Sequence, residues 1–542
     1  MAIGFGVMAN IEDILRGHVS LRVECVDRLY LNGYLPALAT SGGLVKFMRE
    51  HLKKPIPSPA VLGRITEGFR ERVKEFAESK GIAWHEFSHK ERKDDTANRM
   101  RQKRGVRNDV VFVGVAQERT KSFSGKAVAG KAGWFDYSRD KTVFVNHYYF
   151  YVDDEEFGPA FVKVCSYAPW GLKVCLNGHE WAKRQMEKRG IAFEALDNGF
   201  LCCEKPETLQ QVCDALGAAD IEGFLARWLD RLPMPLSQQD RQAGYDWKLS
   251  IWQMEVSLTQ IFDRPVRGRE FFEEVIRDNM DLGRPDRVQL IFEKRLTKST
   301  PSAFRTRVIQ DGVSPSLHIE YRSCDLKQYF KQGRGLRTET TFRDPGDFGV
   351  NKGLSNFDYL QQIGRHINRR LLEVERVSQN CGLSADSIQR VVQPTVTEDG
   401  QKAPGLRFGD PRVMALMIAL TLFTHLIDGF RNNDLRSLVS DLLGPRAAPY
   451  RASQATYDLR RLCRKGLIFR QRKTNRYALT PYGWKLARLF ARLDARIFRP
   501  AQRALHPDGI TDPNPPLSAA LDKVDKHLDL LIEQALPPRK VA

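Results

Sequence analysis

Apolar residues recur along this chain at two spacings. Strict alternation over residues 21–31 marks a strand that Asn32-Gly33 turns, and residues 82–87, 110–116, 143–152 and 160–167 continue the strand signal. Between them, Leu62, Ile65, Phe69, Val73 and Phe76 recur at helical spacing over residues 58–80, and a second helix covers 180–189. Strands alternating with helices, with one hairpin turning through 153–158, predict a mixed α/β or α+β sheet.

Beyond the linker at 231–237, Trp247, Ile251, Met254, Leu258 and Ile261 keep helical spacing and predict a helix. A second helix is expected over 268–279 and a strand over 288–292. Residues 305–309, 317–321, 326–330 and 336–342 then read as antiparallel strands, with turns at Gly312 and Gly333-Arg334-Gly335. A basic helix over 358–377 sets Arg365, His366, Arg369 and Arg370 among apolar residues, and 378–405 reads as loop. Residues 411–420 are apolar nearly all round, which suits a buried helix. A helix over 435–443 follows, capped by Asn433 and Asp434, and then a third capped by Ser453 and ended by Gly466. Strands at 467–471 and 476–479 flank a basic turn, and Thr480-Pro481 opens a last helix. After a linker, Leu521, Val524, Leu528, Leu531 and Ile532 form the apolar stripe of an amphipathic helix over 517–536, which suits docking or pairing with a second copy.

The expected fold class is therefore multidomain α+β. Its parts are an N-terminal mixed α/β domain (1–231), a linker and helical segment (232–300), an antiparallel sheet with a basic helix (301–400), a helix-and-hairpin domain (405–500), and a linker with the amphipathic helix (501–542).

Length and composition sharpen this picture. A chain of 542 residues exceeds one core, and 42% hydrophobic with 28% charged residues excludes wholesale disorder. The longest apolar run, 413–426, is shorter than the roughly twenty residues a membrane span needs. The first residues lack the pattern of a signal peptide, and the nine scattered cysteines form no C-x-x-C pair, so a cytoplasmic protein with free thiols is expected. No nucleotide-binding P-loop, GxGxxG or HExxH motif appears. Residues 445–499 hold 15 Lys/Arg against 2 Asp/Glu, whereas the whole chain's surplus is 19. So local an excess is the footprint of phosphate binding, with DNA the expected partner, RNA an open one and a membrane not expected.

Helix, helix, helix, hairpin, helix is the winged helix-turn-helix order, and TYDLRRLCRKGLIFRQRKTNRYALTPYGWKLA resembles that family. The resemblance implies that the third helix enters the major groove and the hairpin wing lies along phosphates. By position it assigns Arg451, Ser453, Gln454, Tyr457, Arg460, Arg461 and Arg464 to the groove, and Arg470, Arg472, Lys473 and Arg476 to the wing. A shorter resemblance covers about 25 residues. Lys327-x-Tyr329-x-Lys331 and Leu336-Arg337-x-Glu339 are similar to a strand pair of phage and plasmid rolling-circle replication initiators. It implies a nicking role for Tyr329, although the family's His-hydrophobe-His metal motif is missing. Read from the residues alone, the same strands present Lys327, Lys331, Arg334 and Arg337 as a basic sheet face. The whole chain resembles large bacterial proteins of mobile elements.

Strand ends in the N-terminal part carry Asp27, His85, Lys93, Asp94, Asp95, Glu118 and His147. Metal nucleases gather strand-end carboxylates around magnesium or manganese, and Asp27 with Glu118 is the pair to test; a solvated or ion-paired role is the alternative. His179 reads as a helix-start residue. Three functions stand open at this point: a DNA-binding protein of mobile-element replication or transposition, a metal-dependent nuclease or recombinase, and a non-enzymatic transcription regulator.

Overall fold

A computed structural model describes residues 17–280, 305–311, 314–321, 324–379, 385–397, 400–421, 429–444, 448–471 and 474–494, together with positions 498, 523 and 527. The chain is mixed α+β and divides into two compact units. The first spans Glu12–Phe272 and Leu290–Arg369, and the second holds the C-terminal part from Arg370.

The first unit is built on one sheet of eleven strands. In chain order its strands and the helices between them begin with β1 (Val19–Tyr34), α1 (Pro59–Ser79), β2 (Ala83–Glu86), α2 (Lys93–Arg104) and β3 (Asp109–Lys121). A small hairpin of β4 (Ser124–Ala127) and β5 (Phe135–Ser138) stands outside the sheet. Then come β6 (Thr142–Asp154), β7 (Gly158–Cys165), β8 (Leu172–Asn177), α3 (Gly178–Lys188), a second outlying pair β9 (Phe193–Leu196) and β10 (Gly199–Cys203), α4 (Pro206–Ala215) and α5 (Ala218–Arg231). The unit closes with β11 (Lys248–Phe262), α6 (Pro265–Met280), β12 (Arg305–Asp311), β13 (Ser314–Tyr321), β14 (Cys324–Lys331), β15 (Gly335–Phe342) and α7 (Phe357–Gln379); α6 beyond Phe272 and α7 beyond Arg369 are grouped with the second unit. Strand order is β12-β13-β14-β15-β11-β1-β8-β7-β6-β3-β2. All neighbours are antiparallel except β2 and β3, which α2 connects as a crossover helix.

Two expectations change here. The stretch around Trp247–Ile261 is a strand, not a helix. β11 lies at the sheet centre between β1 and β15, with Val256, Ser257, Leu258 and Thr259 buried in succession. Met254, Val256 and Leu258 alternate with Glu255, Ser257 and Thr259 as a strand requires, while Trp247, Ile251, Met254, Leu258 and Ile261 fall at helical spacing by accident. The strands of 305–342 pair onto β11 and so continue the N-terminal sheet, which means the boundaries expected at 231 and 300 fall inside one unit. The strand expected at 288–292 lies outside the described residues.

The second unit contains α8 (Ala385–Val392) and a short pairing of β16 (Thr395–Val396) with β17 (Lys402–Ala403), in a stretch read from sequence as loop. Then follow α9 (Pro411–Leu420), α10 (Asn432–Leu443), α11 (Ala452–Arg464), the hairpin β18 (Ile468–Arg470) and β19 (Tyr477–Leu479), and α12 (Pro481–Leu493). The buried face of α9 reflects its all-apolar sequence. Asp410 caps it, accepting from Arg412 N at 2.9 Å and Val413 N at 3.1 Å. Thr480 caps α12, as its sequence predicts. α10 and α11 start earlier than expected, since Asp434 and Gln454 turn back to accept from the backbone amides of Arg431 and Arg451. Ser453 is therefore a first-turn residue of α11 rather than its cap. The amphipathic helix expected at 517–536 lies outside the described residues except for positions 523 and 527. No helix among the described residues is long and apolar enough to cross a membrane, and the cysteines among them are free.

Candidate functional site

Three clusters hold the residues that the sequence nominates. The first surrounds Asp27. A register shift between Val26 and Leu29 in the β1–β11 pairing turns Asp27 inward, where it meets the fully buried guanidinium of Arg337 from β15. Arg337 also lies 2.7 Å from Glu339 through Nε, and it donates to His179 Nε2 at 2.9 Å and to the Asn198 carbonyl. Asn198 donates to Asp27, and Tyr329 gives its phenol proton to Glu339 at 2.8 Å. Burial works to raise the Asp27 pKa, but Arg337, His179 and Asn198 outweigh it and hold the group below the ordinary carboxylate range. Burial keeps Glu339 above that range despite the same arginine. Tyr329 is pushed up by burial and by the Glu339 charge, the opposite of what a nucleophilic phenolate needs. The structure thus joins Asp27, Tyr329 and Arg337, residues picked for different reasons. They form a closed ion-pair network, and Arg337 is unavailable to any strand of nucleic acid. Lys327 stacks over the Tyr329 ring at 4.4 Å, and burial lowers the pKa of Lys331. Arg334 is exposed in the turn between β14 and β15.

Glu118 belongs to a second cluster. Lys93 Nζ donates to it at 2.6 Å and to the Tyr149 hydroxyl at 2.8 Å, while Lys163 and Tyr149 also donate to its carboxylate. Burial pushes the Glu118 pKa up, yet these partners prevail and bring it down to about 2. β1 and β3 are separated by β8, β7 and β6, which puts their backbones about 19 Å apart at ~4.8 Å per strand. The sharing of one ion by Asp27 and Glu118 is corrected on this geometry, since each carboxylate is neutralised by its own cation and ligand bonds span only about 2.0–2.6 Å. Among the described residues, no group of three or more His, Cys, Asp and Glu side chains is placed to hold a metal. The remaining strand-end residues divide likewise: His85 pairs with Glu91 at 2.9 Å, and burial followed by the Lys163 charge lowers His147 to about 4. His179, at the start of α3, is buried and faces the Ser257 hydroxyl at 2.9 Å.

The third cluster is the surface of α11 and the hairpin. Ala455, Leu459 and Leu462 bury one side of α11, and Asp458 is buried with them. Arg412 of α9 grips Asp458 with two bonds of 2.8 and 2.7 Å, and Tyr450 donates to it at 2.7 Å, which fixes α11 against α9. Asn432 ties α10 to α11 through Thr456 Oγ1 at 3.0 Å. The other side of α11 presents Arg451, Ser453, Arg460 and Arg464 exposed and Gln454 partly so, with Tyr457 48% exposed. Sequence position alone misassigns part of this set. Arg461 turns away to the carbonyls of Pro404 and Gly405, and Arg464 Nη1 donates to the Lys402 carbonyl at 2.9 Å. On the hairpin, Arg470 holds the turn through the Thr474 carbonyl (3.0 Å) and Asn475 Oδ1 (2.7 Å), and Arg476 donates to the Gly429 carbonyl at 3.3 Å. Arg472 and Lys473 lie outside the described residues. Phe430, just before α10, pairs with Tyr477 through two backbone bonds of 2.8 Å and anchors the hairpin to the helices.

No family model matches the chain, and no curated protein or solved structure shows significant similarity to it.

Proposed function

We propose that this is a DNA-binding protein whose second unit carries a winged helix-turn-helix, with α11 as the recognition helix in the major groove of a duplex. The observation that carries this reading is the outward face of α11. Ser453, Tyr457 and Arg460 follow one another at helical spacing on a rigidly braced helix, within a stretch of 15 Lys/Arg against 2 Asp/Glu. The hairpin supplies the adjacent basic edge. Recognition within a mobile element's replication or transposition accords with this reading. The nuclease reading has lost its carboxylate pair, and the nicking reading its activated tyrosine.

Binding of the full chain to a selected duplex site, read by gel shift or anisotropy, tests the assignment. Arg460→Ala is expected to cost about 1–3 kcal/mol and to relax sequence preference, because an exposed arginine on the recognition face reads base edges. Arg461→Ala is expected to act instead through the fold, by releasing the carbonyls of Pro404 and Gly405. Equal loss of sequence preference from both, or no duplex binding at all, sinks the reading.

A further inference from the structure

The first unit has a second basic surface that the duplex-binding reading does not use. Residues facing one another across β1, β8, β7, β6 and β3 share a sheet face: Tyr30 lies opposite Cys175, Asn32 opposite Lys173, Lys173 opposite Lys163, and Lys163 opposite Tyr149. α2 packs on part of that face, where Lys93 meets Tyr149 and where Ala97 and Met100 lie against the cluster of Phe112 and Tyr151. Next to it the face opens into a cleft of about 290 Å³, at the small end of the ~300–1,000 Å³ usual for ligand clefts.

The lining of this cleft is one-signed. Lys121, Arg139, Lys163 and Lys173 all contribute, and no Asp or Glu does. Glu118, on the same sheet face but outside the lining, pairs with Lys163. Arg139 gives its Nε proton to the Lys121 carbonyl at 3.2 Å, and both residues are exposed at the cleft. Low His147 basicity, from burial and then from Lys163, leaves that imidazole neutral at pH 7. Aromatic rings stand at the same surface. Tyr34 and Tyr167 line the cleft at 45% and 46% exposure, and Trp252, 37% exposed, extends it past Lys173, whose Nζ sits 3.6 Å from the ring centre.

From this geometry we infer that the cleft and its extension to Trp252 form a binding site for single-stranded nucleic acid, with the cations on the phosphates and Tyr34, Tyr167 and Trp252 stacking on unpaired bases. Charge complementarity selects an anionic strand, and the exposed rings select one whose bases are free of a partner. The length selects a polymer over a mononucleotide. From Lys121 on β3 to Trp252 on β11 the surface crosses five strand spacings, about 24 Å at ~4.8 Å each. A duplex would hide the base faces that these rings address.

The test is fluorescence anisotropy of the full chain with four labelled probes: a 20-mer of thymidine, a 20-mer of uridine, an abasic strand of equal charge, and a random duplex competitor. Wild-type protein is expected to bind a single strand with bases at least tenfold more tightly than the abasic strand, and the thymidine and uridine arms distinguish DNA from RNA. Tyr34→Ala and Trp252→Ala are each expected to weaken binding by about 5- to 100-fold, the range for loss of one base stack, whereas Tyr34→Phe retains it. Lys121→Glu with Arg139→Glu is expected to weaken binding and flatten its salt dependence. These side chains are exposed, so their replacement leaves the core intact, and thermal melts of the variants check this. Equal affinity for the abasic strand, indifference to both classes of variant, or displacement of the single strand by saturating duplex overturns the proposal.

Discussion

Replacing Arg337 with methionine is expected to lower the stability of the first unit by about 3–5 kcal/mol, because it strands two carboxyl groups in the interior. Asp27 is 2% exposed, and both it and Glu339 face the guanidinium, which is itself wholly buried. Methionine fills the space but supplies no charge and no donor for the Asn198 carbonyl or for His179. Asp27→Asn in the same background removes one stranded charge and is expected to restore part of the loss, so the two substitutions should be strongly non-additive. Urea unfolding of the single and double variants measures this. A loss below about 1 kcal/mol for Arg337→Met, or simple additivity with Asp27→Asn, removes the network as a keystone of the sheet.

That network also shows what the sequence could and could not disclose. Most regular elements were legible because their burial is one-sided. α1 keeps Phe69 and Val73 inside at helical spacing, β6 and β7 flank a turn of acidic residues and glycine, and Thr480 caps a helix where a proline follows. β11 reads two ways, because its alternation covers only Met254–Thr259 while Ile251, Met254, Leu258 and Ile261 also fit a helical stripe, and only the pairing with β1 and β15 decides between them. Asp27, Tyr329 and Arg337 were singled out, but the contact between Asp27 and Arg337 spans 310 positions, and no local spacing encodes it. An arginine in a basic strand reads as a surface residue, and only the tertiary fold turns Arg337 inward. In the second unit the charge surplus marks only a region, residues 445–499. It could not separate Arg460, which faces outward, from Arg461 and Arg464, whose guanidinium groups bond to carbonyls of residues 402–405. The basic cleft on the first sheet leaves no mark in the sequence, because its cations come from Lys121, Arg139, Lys163 and Lys173, too scattered to form a charge run.

Glu255→Gln is expected to stabilise the first unit by about 2–3 kcal/mol at pH 8 and to leave it nearly unchanged at pH 4. Burial, followed by the Asp27 charge, pushes the Glu255 carboxyl up to about 7 from its ordinary 4.5, with Glu339 adding to the rise and Arg28 opposing it. A carboxyl raised in this way keeps its proton in the folded chain between about pH 4.5 and 7, where the unfolded chain has lost it. Stability from this group is therefore complete below 4.5, falls as pH rises through 7, and stays low above it. At about 1.4 kcal/mol per pKa unit the full span has an upper bound of about 3.5 kcal/mol, which solvent at the half-buried side chain reduces. Glutamine carries no charge at any pH, and its carbonyl can accept the Gln253 amide bond that Glu255 accepts at 2.8 Å. Deeply placed acids with lowered pKa, Asp27 and Glu118 among them, lose stability in the opposite direction as pH falls, so the wild-type curve alone mixes both signs. The difference between variant and wild type isolates Glu255. Urea unfolding of both proteins at half-unit steps from pH 4 to 8.5 should show that difference growing from near zero between about pH 4.5 and 7, half complete near the middle of that window, and flat above it. A pH-independent difference would mean that Glu255 ionises normally, and a variant less stable at pH 8 would mean that its charge is needed by Arg28.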